Sequence, residues 1–419
     1  MNSEQILIYN TILYLLSFLY FFIKEKYTIT CKNFLFACLS IFALSSYLFY
    51  IQPGFIYTVH YSEMTIFPFI YLYAGFMLLL TPYRKLNNKA KEIILLNEQQ
   101  LDKFINIVLP FILFILICFI LLILQKGLVT DINESRNELY EEGVDYGILQ
   151  SNWIFSTILR LYNISYVSLL CLSFYCLIFT KKNFKIWCFI ISPYVISFAS
   201  AIYTSTRAQL FFIILFIIFQ RLLYTSYISK KQKRVFNYIT FFLGSLIGTF
   251  LIAVSLSRFK DAASLYMYKY AGESMINFNG LLFNNIEGAT NGLAYFAYIP
   301  NKLGFIPQLP YNTLNEKWDF IENTTGVSGQ FFYTIIGAFI FEIGKTGTFI
   351  LLIIANLFLR KKFNRAQSGK KLILVSFITY QIIAGFFLFN AQGDQGNLSI
   401  ILFIILYLWL KNQNNKVIN

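Results

Sequence analysis

Apolar stretches of about twenty residues recur from one end of this 419-residue chain to the other. A helix of about twenty predominantly apolar residues is long enough to cross the hydrocarbon core of a bilayer, which is about 30 Å thick. Only 13% of the residues are charged, against roughly 25% in soluble domains. The pattern predicts an all-α, polytopic integral membrane protein of about eleven spans, with no sizeable soluble domain.

The connections between these spans are mostly short, but two of them are long. The spans are predicted near residues 5–23, 33–51, 64–81, 104–124, 152–179, 186–205, 208–228, 236–256, 331–358, 372–389 and 397–410. The long connections are 125–151 and 257–330. We expect 1–419 to form a single transmembrane domain that carries both of them.

Basic residues are concentrated in alternate loops. The loops at 24–32, 84–103, 180–185, 221–234 and 360–371, together with the C-terminal tail, hold 24 of the 34 lysines and arginines. By the positive-inside rule these loops are cytoplasmic, so the N-terminus and both long connections face outside. The net charge of +14 therefore indicates topology and contact with the lipid bilayer. It does not indicate nucleic-acid binding, because no basic patch is interleaved with stacking aromatic residues.

Four arginines lie at or near the external ends of spans: Arg136, Arg160, Arg207 and Arg258. A guanidinium stays charged and grips phosphate with two parallel hydrogen bonds, which lysine does not. If these arginines converge on one cavity, they would bind a pyrophosphate. The alternative is that they snorkel to lipid headgroups or, for Arg160 inside its span, that they form an intramembrane ion pair.

Three external acids lie on the same predicted face as these arginines: Glu142, Asp145 and Glu273. A carboxylate near the arginines could act as a general base. The competing interpretation is that these acids are simply solvated on the outer surface.

The stretch "GAFIFEIGKTGTF" places three glycines in a predicted span, namely Gly337, Gly344 and Gly347. Small residues allow helices to approach closely, but they also permit a span to break into a re-entrant half and a full half. In the second case we expect Glu342 and Lys345 to face a cavity.

Four stretches follow one another along the chain: "DINESRNELYEEG", "STRAQLFFIILF", "SRFKDAASLYMYKYAGESMINFNG" and "GQFFYTIIGAFIFEIGKTGTFILL". In these stretches and their order, over roughly 125–355, the chain resembles the Wzy-type O-antigen and capsule repeat-unit polymerases of bacterial inner membranes. The resemblance implies the GT-C-like architecture of O-antigen polymerases and ligases.

It also implies a metal-independent glycosyltransferase without a cofactor. Such an enzyme joins undecaprenyl-pyrophosphate-linked glycans at the periplasmic face, with a chain-length regulator and a flippase as partners. The family's periplasmic arginines match Arg136, Arg207 and Arg258, and the start of its large loop matches Tyr270, Asn277 and Asn279. Glu342 matches an acid ahead of a glycine, and Arg160 is a further candidate for binding substrate.

Three alternatives remain open. An O-antigen ligase would use a histidine in the large loop, whereas the one histidine here, His60, lies in the short 52–63 loop. A metal-dependent lipid-sugar transferase would need close carboxylates, for which Asp131 and Glu134 are weak candidates. A flippase for lipid-linked oligosaccharide would usually show internal repeats and broken helices, and the sequence contains no convincing repeat.

Overall fold

The computed structural model describes most of the chain as α-helix. The described residues are 2–55, 59–87, 93–126, 153–203, 208–230, 263–306, 308–311, 313–363, 368–389 and 393–418, with scattered positions between 233 and 249. The helices are α1 (Ser3–Lys24), α2 (Cys31–Tyr50), α3 (Ile66–Leu80), α4 (Glu98–Lys126), α5 (Trp153–Phe179), α6 (Phe184–Tyr203), α7 (Ala208–Leu223), α8 (Ala263–Asn277), α9 (Tyr298–Lys302), α10 (Leu314–Thr325), α11 (Ile335–Phe363), α12 (Gly369–Ala384) and α13 (Gly393–Trp409).

Seven helices of the described part are long and apolar enough to cross a membrane. They are Ser3–Lys24, Cys31–Tyr50, Ile66–Leu86, Glu98–Leu124, Trp153–Phe179, Phe184–Ala201 and Ile335–Phe363. Leu210–Leu223 and Gly393–Trp409 are shorter apolar helices. The chain is therefore a multi-pass, mainly α-helical membrane protein. The predicted span near 236–256 lies largely outside the described residues, so the total of eleven stays a prediction.

The first helices begin where side chains cap their free backbone N–H groups. Asn2 accepts a hydrogen bond from the Gln5 backbone nitrogen at 2.8 Å, and the Gln5 side chain accepts one from the Asn2 backbone. Thr30 and Asn33 form the same reciprocal capping box at the start of α2. Each box satisfies two N–H groups that the first turn of a helix leaves without partners.

The described residues form two compact units. One comprises those within Met1–Asn88, Phe259–Ala366 and Gln381–Asn397, and the other those within Lys89–Arg258, Gln367–Tyr380 and Leu398–Asn419. In the first unit, α1 pairs with α2, α8 packs along α2, and α11 packs against α3. This unit therefore combines the N-terminal spans with most of the second long connection.

The described part of the 257–330 connection is folded against the helices of the first unit. Helix α8 continues directly into a π-helical turn, Phe278–Phe283, and residues 272–280 are all buried. Gly272 allows the close contact with α2, because a β carbon there would overlap the backbone of Ser46. The connection is therefore anchored to the spans along this stretch.

Helix α11 is broken at Gly344, whose φ of 69° and ψ of 175° are not helical. Ile336 Cδ1 and Leu352 Cδ1 lie 2.6 Å and 3.1 Å from where a β carbon on Gly75 would stand. In a continuous helix those two residues would be about 24 Å apart along the axis. The chain therefore folds back at Gly344 into a short arm (335–343) and a long arm (345–363). The break that the glycine pattern permitted is present.

The second unit adds a small sheet to the predicted all-α architecture. Strand β1 (Ile93–Leu96) pairs antiparallel with β2 (Asn412–Ile418), and the Leu96 backbone nitrogen donates to the Tyr175 hydroxyl at 2.9 Å. Lys185 and Asp102 form a salt bridge in the same unit. Both strand segments lie where the sequence predicts a loop and the C-terminal tail, so the sheet corrects that prediction. Four apolar residues in β1 are too few for periodicity to identify a strand.

Candidate functional site

Five of the predicted site residues lie outside the described residues. They are Arg136, Glu142, Asp145, Arg207 and Arg258. The convergence of arginines on one cavity therefore stays a prediction. Of the others, Arg160 lies on α5 in the second unit with an exposed side chain. The remaining five, Tyr270, Glu273, Asn277, Asn279 and Glu342, belong to the first unit.

Helix α8 carries three of the predicted site residues, Tyr270, Glu273 and Asn277. Glu273 is 5% exposed, and its carboxylate lies 3.8 Å from the Lys269 ammonium, one turn earlier. The Asn277 side chain, one turn later, donates to the Phe332 carbonyl at 3.0 Å. Asn277 also accepts a bond from the Tyr61 hydroxyl at 2.9 Å. We name Glu273, Lys269, Asn277 and Tyr61 the Glu273 cluster; Tyr270 is half-buried beside it.

Burial raises the pKa of Glu273 above its ordinary value of 4.5, while the neighbouring Lys269 and Asn277 side chains oppose the shift. Removing water from a carboxylate penalises its charged form, and a nearby cation or a donated hydrogen bond favours it. A general base works best when its pKa lies close to the operating pH. The raised pKa of Glu273 therefore shifts it in the direction that suits proton transfer.

Asn279 fastens the π-helical turn to the start of α3. Its side-chain oxygen accepts from the Thr65 backbone nitrogen at 3.1 Å, and its side-chain nitrogen donates to the Thr65 carbonyl at 2.7 Å. Ser62 also donates to the Gly280 carbonyl at 2.6 Å. π-Helical turns inside helices are frequent at functional sites. Here the turn directly follows the Glu273 cluster and is held at a fixed position beside it.

Glu342, at the end of the short arm of α11, is 1% exposed and is cradled by one loop. The carboxylate accepts from the Thr290 hydroxyl at 2.5 Å, from the Ala294 backbone nitrogen at 3.4 Å, and from the Tyr295 backbone nitrogen. A buried carboxylate is tolerated only when hydrogen bonds and nearby cations compensate its lost hydration. We name this arrangement the Glu342 cradle, and it holds residues 290–295 against the short arm.

Three further segments meet at the same loop. The Asn397 side chain donates to the Tyr295 carbonyl at 2.7 Å, and the Tyr311 hydroxyl donates to the Leu293 carbonyl at 2.7 Å. The Lys317 ammonium lies 4.8 Å from the centroid of the Tyr295 ring. The start of α13, the segment before α10, and α10 itself are therefore joined around the Glu342 cradle.

The second unit contains an apolar groove of about 400 Å³ between α4, α5 and α13. Its lining residues are mainly aliphatic and aromatic: Phe104, Ile107, Val108, Phe111, Ile112, Ile115, Ile158, Leu161, Tyr162, Ser165, Ser168, Leu169, Leu402, Ile405, Leu406 and Trp409. The Tyr162 hydroxyl is turned to the Pro193 carbonyl, at 3.1 Å. The groove is therefore suited to a hydrocarbon chain.

Sequence reasoning missed Tyr61, Tyr295, Tyr311 and Lys317. Tyr61 follows His60 in the short 52–63 loop, where no candidate residue was predicted. Lys317 lies in "LNEKWDFIENTT", a pattern typical of a solvated amphipathic helix. Only tertiary contacts place these side chains around Glu273 and Glu342, so spacing along the chain carried no signal for them. Among the described residues, no three His, Cys, Asp or Glu side chains are grouped as metal ligands.

No protein-family model, no curated protein and no solved structure matches this chain.

Proposed function

We propose that the protein is a metal-independent glycosyltransferase that polymerises lipid-linked oligosaccharide repeat units at the external face of a bacterial inner membrane. The donor is a growing glycan on undecaprenyl pyrophosphate, and the acceptor is the next lipid-linked unit. The product is an O-antigen, capsule or exopolysaccharide chain. The proposal extends the sequence resemblance with the geometry of the external segment.

The reaction exchanges one bond at the donor sugar for another. An acceptor hydroxyl oxygen bonds to the anomeric carbon, the bond from that carbon to the pyrophosphate breaks, and the hydroxyl proton passes to a carboxylate. We assign Glu273 as that carboxylate. Arg136, Arg207 and Arg258 are assigned to the leaving pyrophosphate, because guanidinium groups stabilise phosphate charge without a metal.

The Glu273 cluster is the observation that carries this proposal. A free external loop would leave its acids in water, whereas Glu273 is buried, has a raised pKa and lies 3.8 Å from the Lys269 ammonium. Such an environment is more frequent at active sites than on solvated surfaces.

The test is the glycan ladder of cells that lack the gene, rescued by wild-type protein or by single variants at equal protein level. We expect Glu273→Gln and Arg207→Ala to lower polymerisation by about a hundredfold or more, the effect of losing a general base or a charge-stabilising group. Glu322→Gln is the control, because Glu322 is an exposed acid on the same external segment. A normal ladder in the deletion strain would end the proposal.

One observation favours a second candidate, a carrier for lipid-linked oligosaccharide. Helix α11 is discontinuous at Gly344, and broken helices are typical of transporter binding sites. The side of the membrane on which repeat units accumulate in the deletion strain separates the two functions. Single units on the outside indicate a polymerase, whereas units retained in the cytoplasmic leaflet indicate a carrier.

A further inference from the structure

Lys317 on α10 holds a half-buried ammonium between two tyrosine rings. Its Nζ lies 4.8 Å from the centroid of the Tyr295 ring and 5.9 Å from that of the Tyr311 ring. Within the part of the chain that the structure describes, no hydrogen-bond acceptor and no salt-bridge partner reaches this nitrogen. Its three N–H groups are therefore free to bond to oxygens that do not belong to these residues.

Burial lowers the pKa of Lys317 from its ordinary value of 10.5, while Glu342 and Asp394 act in the opposite direction. Contacts with aromatic ring faces compensate only part of the hydration that a buried cation loses. An ammonium that is partly removed from water and has no hydrogen-bond acceptor is stabilised when a ligand supplies one. The Lys317 ammonium can therefore donate hydrogen bonds to the oxygen atoms of a ligand.

The charges around Lys317 indicate what kind of ligand fits. Both Glu342 oxygens are already occupied by Thr290, Ala294 and Tyr295, so this carboxylate balances the lysine without blocking its N–H groups. Asp394, in the first turn of α13, is exposed and adds a second negative charge. Two carboxylates and one ammonium do not favour a multiply charged phosphate. They suit a neutral ligand with many hydroxyl groups.

Tyr311 supplies a flat apolar surface at the same place. Its hydroxyl donates to the Leu293 carbonyl at 2.7 Å, which fixes the ring, and its ring lies 5.8 Å from that of Phe320. The side chain is only half-buried. Sites for small ligands typically combine such an aromatic wall with a few converging polar groups that set the orientation.

We propose that Lys317, Tyr311 and Asp394 form a carbohydrate subsite on the external segment. Lys317 donates to sugar hydroxyl or ring oxygens, Asp394 accepts from hydroxyl groups, and the face of Tyr311 contacts the C–H face of a pyranose ring. The Glu342 cradle fixes the loop on which the site is built. The inference rests on the proposed function, because its ligand is the oligosaccharide that the enzyme polymerises.

The test measures binding of a defined probe, the oligosaccharide released by mild acid from the lipid-linked pool of the deletion strain. Saturation-transfer NMR on the full-length protein in detergent gives its affinity. We expect Lys317→Met to weaken binding about tenfold or more, as expected for loss of charged hydrogen bonds. Lys302→Met is the matched control, because Lys302 also lies near a tyrosine ring, 5.8 Å from Tyr298, but is exposed. It should leave binding unchanged.

Tyr311→Ala gives an independent measurement that does not change charge, and we expect a similar loss of affinity. If Lys317→Met and Tyr311→Ala both bind the probe as the wild type does while the ladder still requires the protein, the subsite is overturned and the proposed function stands. If the deletion strain accumulates no lipid-linked oligosaccharide, both are overturned. Melting temperatures of the variants establish that any loss of binding occurs in folded protein.

Discussion

Gly272 of α8 lies so close to Ser46 of α2 that a β carbon at position 272 would overlap the Ser46 backbone. The helix that carries the Glu273 cluster is therefore positioned by direct backbone contact with an N-terminal span. Any side chain at position 272 must push the two helices apart.

We expect Gly272→Ala to lower the free energy of unfolding by about 3 kcal/mol, at the upper end for overpacked sites, because backbone rather than a flexible side chain must yield. Activity should fall with it, since displacing α8 separates Asn277 from Tyr61. Met267→Ala on the same helix is the control, because Met267 is exposed. Thermal unfolding in detergent compares them, and equal melting temperatures would contradict the packing described for Gly272.

Gly344→Ala should destabilise the protein by about 1–3 kcal/mol, because its φ of 69° with ψ of 175° belongs to a region that only glycine occupies readily. Gly347→Ala, three residues later, requires only a small adjustment of Ile343 and should have a much smaller effect. The difference between the two melting temperatures is the measurement. If both alanine variants melt together, the backbone of Gly344 is not the constraint.

Glu342→Gln should loosen the 290–295 loop. The new amide offers a donor where the carboxylate accepted from Thr290 and from the backbone, so at least one buried donor loses its acceptor at a cost of about 1–3 kcal/mol. Hydrogen exchange at residues 294 and 295 should become faster. Thr290→Val removes one donor but keeps the carboxylate, so exchange at these residues should stay slower than in Glu342→Gln. Unchanged exchange in Glu342→Gln would show that the cradle does not hold the loop.

The stability of the wild type relative to Glu273→Gln should depend on pH. Because the pKa of Glu273 is raised in the folded protein, the folded state binds the proton more tightly than the unfolded state does. The stabilisation is complete below the ordinary pKa of 4.5 and is lost as the pH rises through the raised pKa. Melting curves of both proteins across this range give the difference, and a constant difference would contradict the shift.

Lys317 should show the opposite dependence. Its pKa is lowered in the folded protein, so its contribution is present above pH 10.5 and is lost as the pH falls through the lowered pKa. At neutral pH we therefore expect Lys317→Met to melt at or above the wild-type temperature. The oligosaccharide probe should raise the melting temperature of the wild type more than that of the variant. An equal increase in both proteins would contradict the role of the ammonium.

The spans could be predicted from sequence because apolar length is a local property, and α1, α2 and α5 lie close to the predicted ranges. The break in α11 was foreseen only as one of two outcomes, since glycine permits both close packing and a left-handed backbone. Whether the helix breaks at Gly344 depends on how Ile336 and Leu352 pack around Gly75. That information is tertiary and does not appear in the spacing of the glycines.

The candidate site was predictable only where its contacts are local in the sequence. Glu273 and Asn277 stand one helical turn apart, so their proximity follows from local structure once α8 exists. Tyr61 reaches the Glu273 cluster and Lys317 the surroundings of the Glu342 cradle from distant segments, and nothing in their sequence context separates them from ordinary surface residues. Long-range contacts of this kind are fixed by the packing of whole helices.

The fold-back at Gly344 also has a consequence for biogenesis. The short arm leaves the ribosome before the long arm, and its nine residues extend only about 14 Å, roughly half of the hydrocarbon core. The translocon can therefore release the long arm sideways into lipid as a span, but not the short one. The short arm has to pack against Gly75 of α3 after the long arm has inserted, so α11 is assembled in two stages.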